Sequence, residues 1–322
     1  MTVPELLVPD GFFTRAQALA SGESDKSLQA ALRAGRLVRL RHGAYARTDH
    51  VEGMDERQRH LLLARAALTQ QRGPVALAGP SAALLNGFDV YGHDLRFVHL
   101  ARLDRSNGRR EAGVVHHVVN DQVVERLELL DGVLVVSAQD AVWQTALLSS
   151  LEGGVVTADC ALHLRPELQQ PLIALAKSAV AQPRSRVARL AIRLARPEAE
   201  SPGESLTRVA CFRHGIPCPT LQYEVVDSFG RPLGRSDFYW EEARLLGEFD
   251  GKVKYGKLLR PGEDATKVVV REKLREDDMR GTRRGMVRFT WSEVQPDVAA
   301  RRMTRLAREL EDSRRLYVRG TG

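Results

Sequence analysis

A mixed α/β chain, α+β overall and divided into three parts, is what the sequence predicts. Stretches with helical spacing and runs with strand character alternate along 322 residues, the length of two to three ordinary domains. Hydrophobic residues are 43% and charged residues 28%, a balance that supports packed cores and excludes wholesale disorder. Breaks near residue 50 and around Pro197 to Gly203 divide the chain into residues 1–50, 51–197 and 198–322.

The net charge is +7, with a pI near 9.6, and that sign favours an anionic partner such as nucleic acid. Cys160, Cys211 and Cys218 form neither a CxxC pair nor an even-numbered framework. A disulfide scaffold and a Cys-rich zinc site are therefore not expected, and a reducing, cytoplasmic setting is. No basic stretch followed by an apolar run opens the chain, and no run of membrane-spanning length follows, so no membrane partner is expected. Only seven of the 48 basic residues are Lys, and five of those (Lys252, Lys254, Lys257, Lys267, Lys273) fall in one 22-residue window. Lys is a compact point charge and Arg a planar fork, so a chain this rich in Arg that switches to Lys invites a chemical reason. Chance clustering is the alternative.

In the first part, Thr14 is placed to cap a short helix through Ala20, ended by Ser21-Gly22. Ser24 caps a second helix carrying Leu28, Ala31 and Leu32, and Gly35 sits where a terminating glycine belongs. Leu37 to Arg41 and Ala44 to Ala46 flank a His42-Gly43 turn, which reads as a hairpin. Helix, helix, hairpin is the order of a winged helix-turn-helix. Lys26, Arg33, Arg36, Arg39, Arg41 and Arg47 lie between residues 26 and 47 with no acid among them, and contact with DNA phosphates is the simplest use of such one-sided charge. A solvated helix-hairpin packed on the next domain is the alternative.

In the second part, Met54 to Gln71 is helical, and Gly79-Pro80-Ser81 opens a short helix that Asn86-Gly87 ends. Arg96 to Leu100, Gly113 to Val119 and Gly132 to Val136 read as strands, and Ser137 caps a helix carrying Val142, Trp143 and Ala146. His116-His117 falls within a strand, where neighbours point to opposite faces, so the pair reads as structural and not as a chelate. Nothing in this part reads as catalysis. Arg186, Arg189, Arg193 and Arg196 fall on one face of a helix between Pro183 and Pro197, as a solvated face or a phosphate rail.

In the third part, Ser201-Pro202-Gly203 is a break and Glu204 opens a helix through about Arg213. Strands are expected at Gln222 to Asp227, Arg235 to Trp240 and Leu245 to Phe249, with Asp227-Ser228-Phe229-Gly230 as a hairpin turn. A helix from Val268 to Arg284, a strand from Met286 to Phe289 and a basic helix from Pro296 to Arg315 complete it. Strand alternation puts Glu248, Asp250 and Lys252 on one side. Two acids spaced so are unusual, because carboxylates are depleted in strands and repel each other. A divalent cation resolves that repulsion: Mg²⁺ takes carboxylate and water oxygens and can sit beside a scissile phosphate, with a lysine assisting. Ion pairs of these acids with Arg235, Arg244 and Arg271 are the metal-free alternative.

EFDGKVKYG after GRSDFYW, preceded by the helix with Glu204, resembles the PD-(D/E)XK nuclease superfamily, in particular its very-short-patch-repair-like branch, over residues 201–295. The resemblance implies a restriction-endonuclease-like α/β/α domain with Mg²⁺ (or Mn²⁺) as cofactor. Glu204 would be the helix acid, Asp237 the first strand acid, and Glu248 or Asp250 the second. Asp237, Glu248 and Asp250 would hold the metal, Lys252 would be the motif lysine, and Arg271 and Arg275 would face substrate phosphates. Ser236 stands where the superfamily often has Pro, and if Glu248 is the second acid then Asp250 takes the lysine position. GFFTRAQALASGESDKSLQAALRAGRLVRLRHGAYA resembles the winged-helix domain of AbiEi-type antitoxins of type IV toxin–antitoxin systems. That implies DNA contact through the helix near Ser27 to Ala34 and the wing near Arg39 to Tyr45, with a toxin-like protein as a further partner. The combined expectation is a DNA-binding protein with a Mg²⁺-dependent endonuclease domain. The alternative is a non-catalytic regulator or antitoxin, and a two-fold DNA site would call for a homodimer.

Overall fold

The computed structural model describes residues 11–104, 107–178, 182–251 and 281–318. It forms two compact units: residues 1–157 with 167–192, and residues 158–166 with 193–322.

The first unit begins with β1 (Phe13–Thr14), α1 (Arg15–Ala20), α2 (Asp25–Arg33), β2 (Leu37–Arg41) and β3 (Ala44–Arg47), its strands ordered β1-β3-β2. The chemistry of the caps sets these boundaries. Thr14 accepts from the Gln17 backbone N–H while the Gln17 side chain reaches back to Thr14, and Ser24 and Ser27 repeat that reciprocal arrangement. Gly43 turns the hairpin at φ +72°, where a side chain would be strained. Phe13, Ala18, Leu28, Ala31, Leu37 and Tyr45 close a small core between the helices and the sheet.

After α3 (Thr48–Val51) and α4 (Glu56–Leu68) comes a six-stranded sheet ordered β6-β7-β5-β4-β9-β8. Its strands are β4 (Val75–Leu77), β5 (Val98–Arg102), β6 (Arg109–Glu111), β7 (Val114–Val118), β8 (Glu128–Leu130) and β9 (Val133–Val135). The helices α5 (Gly79–Leu85), α6 (Asp121–Glu125) and α7 (Ala138–Leu148) are interleaved with them, and α8 (Leu151–Leu164), α9 (Gln169–Ser178) and α10 (Ser185–Leu194) follow. Leu77, Val98, Leu100, Val114 and Val135 bury the centre of the sheet. The three-residue strands β4, β6 and β8 are too short to show alternation in sequence, and they were not expected. His117 hydrogen-bonds His99 across the parallel β5–β7 pair, while His116 is buried on the strand's other side, so the adjacent histidines do not converge.

The second unit holds α11 (Pro202–Arg213), β10 (Thr220–Val226), β11 (Pro232–Trp240), β12 (Leu245–Asp250), β13 (Gly285–Thr290) and α12 (Ala299–Tyr317). The sheet runs β10-β11-β12-β13, antiparallel through the first three strands and parallel between β12 and β13. A parallel pair needs a crossover connection, and most of it lies outside the described residues. The expected helix from Val268 lies outside the described residues, apart from residues 281–284, which form a turn and its exit. Ser201 caps α11 through the Glu204 N–H, so the helix starts at Pro202, a position where Pro is at home. Gly203 is obligatory there: a Cβ would lie 2.1 Å from the Phe249 ring.

A buried ion pair ties this unit together. Arg208 Nη2 donates to Asp159 Oδ2 at 2.6 Å, and both side chains are almost wholly enclosed. Ser205 Oγ and the Arg196 N–H fill the remaining positions of the carboxylate at 2.6 and 2.7 Å. No helix among the described residues is long and apolar enough to cross a membrane.

Candidate nucleic-acid face and candidate carboxylate site

The winged helix presents a basic face. Lys26, Gln29, Ala30 and Arg33 are exposed on α2 at spacings of three, one and three residues, hence along one strip of the helix. Arg36 and Arg39 are exposed beyond it. Among the described residues, Lys26, Arg33 and Arg36 have no acidic partner. The one acid on α2, Asp25, is held in a two-pronged contact by Arg15 (2.7 and 2.5 Å), and that guanidinium keeps its carboxyl below the ordinary range. The strip therefore shows positive charge uncancelled by its own helix.

Two residues expected on this face are placed elsewhere. Tyr45 is 5% exposed and packs against Phe13, ring centroids 5.8 Å apart, with the Arg39 guanidinium 6.0 Å from its ring. It lies on β3, the central strand of three, so its ring fills the core and does not reach a ligand. Arg41 is half-buried, its Nη2 donating to the Ala112 carbonyl at 3.3 Å, and burial lowers its pKa. Arg47 pairs with Asp49. Charge alone does not point to Gln29. Helical spacing from Lys26 and Arg33 is the signal that could have found it.

In the second unit, four of the expected site residues lie toward one end of the sheet. Asp237 sits on β11 one residue before the Phe238–Gly247 pair, which puts it across from Glu248 on β12. Asp237 Oδ2 accepts the Phe249 N–H at 2.8 Å, extending the strand pairing through a side chain. Ser236 is fully buried, and its Oγ bonds the carbonyls of Phe238 and Gly247 at 3.0 and 2.9 Å, pinning the backbone on which Asp237 stands. Glu248 and Asp250 alternate with buried Phe249, so both project from the same side of β12, as the two-residue period requires.

Glu204 approaches from α11. Its Oε1 accepts from Ser201 Oγ at 2.7 Å, and its Oε2 accepts from the Glu200 N–H at 3.0 Å and from Gln222 Nε2 at 2.8 Å. Burial pushes this carboxyl above its ordinary pKa, abetted by the nearby Asp237 charge and opposed by the three donors. With both oxygens engaged, Glu204 is built as a helix-capping and positioning group. Of the arginines named as neutralising partners, Arg235 pairs with Glu200 at 2.8 Å, and Arg244 donates to the Tyr317 carbonyl. Lys252, Arg271 and Arg275 lie outside the described residues.

Gln222 joins this group without having been expected. It stands on β10 at φ +50°, a strained conformation for a residue with a Cβ, and its buried Oε1 has no hydrogen-bond partner among the described residues. No sequence signal marks such a residue, because strand position alone does not reveal a left-handed backbone. Among the described residues, no three His, Cys, Asp or Glu side chains are grouped so as to hold a metal ion. The described carboxylates therefore do not form a closed metal cage. Asp237 and Glu248 stand across from each other on neighbouring strands.

Residues 9–48 match the family described as transcriptional regulator, AbiEi antitoxin. Two uncharacterized proteins of Mycobacterium tuberculosis, MT2308 of strain CDC 1551 and Rv2248 of strain H37Rv, are each 29% identical to this chain over 274 residues, covering 78% of it and 92% of the relative. The crystal structure of the RV2827C protein from Mycobacterium tuberculosis aligns with 61% of this chain and 74% of its own at 17% identity, with a TM-score of 0.36.

Proposed function

We propose that this protein is a DNA-binding transcriptional regulator that reads duplex DNA through α2 and acts as the antitoxin-like partner of a toxin protein. The observation that carries the reading is the strip of Lys26, Gln29, Ala30 and Arg33, open to solvent on a capped helix and continued by Arg36 and Arg39. Placed in the major groove, Gln29 has the donor and acceptor pair that matches adenine, and Ala30 suits a thymine methyl. Lys26, Arg33 and Arg36 then meet phosphates, which position the protein without reading sequence. The match of residues 9–48 to the AbiEi antitoxin regulators supports the same reading.

Selection of binding sites from a random duplex pool tests it. The expected outcome is an enriched site whose preference relaxes at one or two positions in Gln29→Ala, while Lys26→Ala weakens all sequences alike. A two-fold symmetric site would go with a homodimer. No enrichment, or enrichment untouched by either change, would overturn the reading. Co-purification with the product of a neighbouring gene tests the toxin partner.

A second reading is favoured by one observation, the meander of three antiparallel strands joined in parallel to a fourth, with Asp237 and Glu248 opposite each other on β11 and β12. In it the second unit is a phosphodiester-cleaving domain using Mg²⁺ or Mn²⁺. Asp237 and Glu248 would hold the cation, with Asp250 as the other candidate acid and Lys252 as the assisting lysine. Bound there, the cation would stabilise charge on a substrate phosphate. Glu204 and Gln222 would orient the acidic end of the sheet. Supercoiled, linear, mismatched and single-stranded DNA with Mg²⁺, Mn²⁺ or EDTA are the substrates to try. Metal-dependent cutting that disappears in Asp237→Asn supports this reading, and no cutting on any of them rejects it.

A further inference from the structure

The first unit contains a cavity of about 600 Å³ between β7, α6 and α7. Apolar side chains make most of its wall, among them Val119, Val123, Trp143 and Leu147. Its size falls in the range of small-molecule sites. Three primary amides also line it: Asn120, Gln144 and Gln182.

Each amide has its oxygen committed to an N–H of the protein. Asn120 Oδ1 accepts from the Val123 N–H at 3.0 Å, Gln144 Oε1 from the Gly79 N–H at 3.0 Å, and Gln182 Oε1 from Trp143 Nε1 at 3.0 Å. Because the partner is a donor each time, the amide orientation is fixed: the oxygen faces the protein and the NH₂ is left over. Among the described residues, none of the three NH₂ groups has an acceptor; Asn120 and Gln182 are exposed at the rim, and Gln144 is the half-buried one.

The charge of the wall is also closed. Among the described residues Asp140 is the one carboxylate lining the cavity, and Arg126 grips it through two hydrogen bonds at 2.9 and 2.8 Å while Ser137 Oγ adds a third at 2.6 Å. His117 is held by His99 at 2.9 Å, and burial lowers the pKa of both rings, so neither brings a positive charge at neutral pH. What remains is an apolar space with a spare donor on Gln144 and, among the described residues, no free charge.

We propose that this cavity is a binding site for an uncharged, carbonyl-bearing small molecule, whose oxygen takes the NH₂ donor of Gln144, the half-buried amide, while its apolar body packs on Trp143 and Leu147. The site belongs to the first unit and is independent of the DNA-binding reading.

Ligand-observed NMR and calorimetry on the full chain test it with two probes of like shape: coumarin, a neutral lactone, and naphthalene, which has no acceptor. Gln144→Glu is the diagnostic change, since its carboxylate still accepts from the Gly79 N–H but no longer donates. The expected result is saturable coumarin binding that is weakened about tenfold or more by Gln144→Glu, the scale of removing one hydrogen bond and adding a repulsion. Naphthalene should bind more weakly, with no further weakening in that variant. Leu147→Trp, which fills the space, should abolish binding of both, and Val123→Phe serves the same purpose if Leu147→Trp does not fold. Absence of saturable coumarin binding, equal affinity for the two probes, or binding that survives filling of the cavity would each overturn the proposal.

Discussion

The winged helix and the acidic end of the second unit's sheet are both dense in charge, and they treat it oppositely. On α2 and the residues after it, Lys26, Arg33 and Arg36 are exposed with no acid among the described residues to meet them, and Asp25 is occupied by Arg15. Around α11, Glu204 is buried with three donors, Asp159 is enclosed by Arg208, Ser205 and Arg196, and Asp237 commits an oxygen to the Phe249 N–H. Open charge costs the fold little and is available to a partner. Enclosed charge is committed to the fold, because removing one member leaves the other buried and alone. The same residue types are thus left open in one place and built into the architecture in the other.

The largest effect that sharpens this contrast is expected at the enclosed pair. Asp159→Ala should lower unfolding free energy by about 3–5 kcal/mol, since Arg208 would remain buried without its counter-charge. Urea denaturation measures it, and DNA affinity of the folded variant should be unchanged. A destabilisation no larger than that of a surface change would break the contrast.

Tyr45→Ala comes next. Removing a ring from the small core under the hairpin should cost about 3 kcal/mol, whereas Tyr45→Phe should keep both stability and DNA affinity. If Tyr45→Phe weakened DNA binding with the fold intact, the hydroxyl would touch DNA after all.

A pH series gives a third, smaller effect within the first unit. Burial drives the pKa of His93 down to about 4 and that of His99 to about 3, the latter aided by neighbouring histidines. Both lie below the unfolded value near 6.5. A group depressed in this way binds its proton more readily when unfolded, so stability is complete above about pH 6.5 and falls as pH drops toward the folded values. Between pH 7 and 5 the expected decrease is about 2 kcal/mol for each ring. Thermal melts across that window would show it, and a flat profile would contradict burial of neutral rings. The smallest stability effect is Arg36→Ala, expected within about 0.5 kcal/mol of wild type while weakening DNA binding severalfold.

Much of the first region was legible because local chemistry alone determines it. Thr14, Ser24, Gly35 and the His42-Gly43 turn are signals that act within four residues, and the element bounds follow them closely. The four strands of the second unit were legible in the sequence, as was the shared side of Glu248 and Asp250, which follows from the two-residue period. What escaped depends on residues distant in sequence. Asp159 and Arg208 are 49 residues apart and meet only in the folded unit. Arg41 turned inward because the Ala112 carbonyl waits there, and Tyr45 is covered because β1 pairs on its far side. The strained backbone of Gln222 and the fixed orientation of three cavity amides leave no trace in spacing or composition.

The most direct test is the salt dependence of duplex DNA binding, measured by fluorescence anisotropy for wild type, the triple variant Lys26→Ala/Arg33→Ala/Arg36→Ala, and Asp237→Asn. Removing one phosphate-binding side chain lowers the salt slope by about 1. The expected result is a triple variant that folds normally, binds far more weakly and has a slope shallower by about 3 on the same reasoning. Beside it, the Asp237→Asn protein should bind like wild type with or without Mg²⁺. A triple variant with wild-type affinity and slope, or an Asp237→Asn protein that no longer binds, would contradict the assignment of recognition to α2.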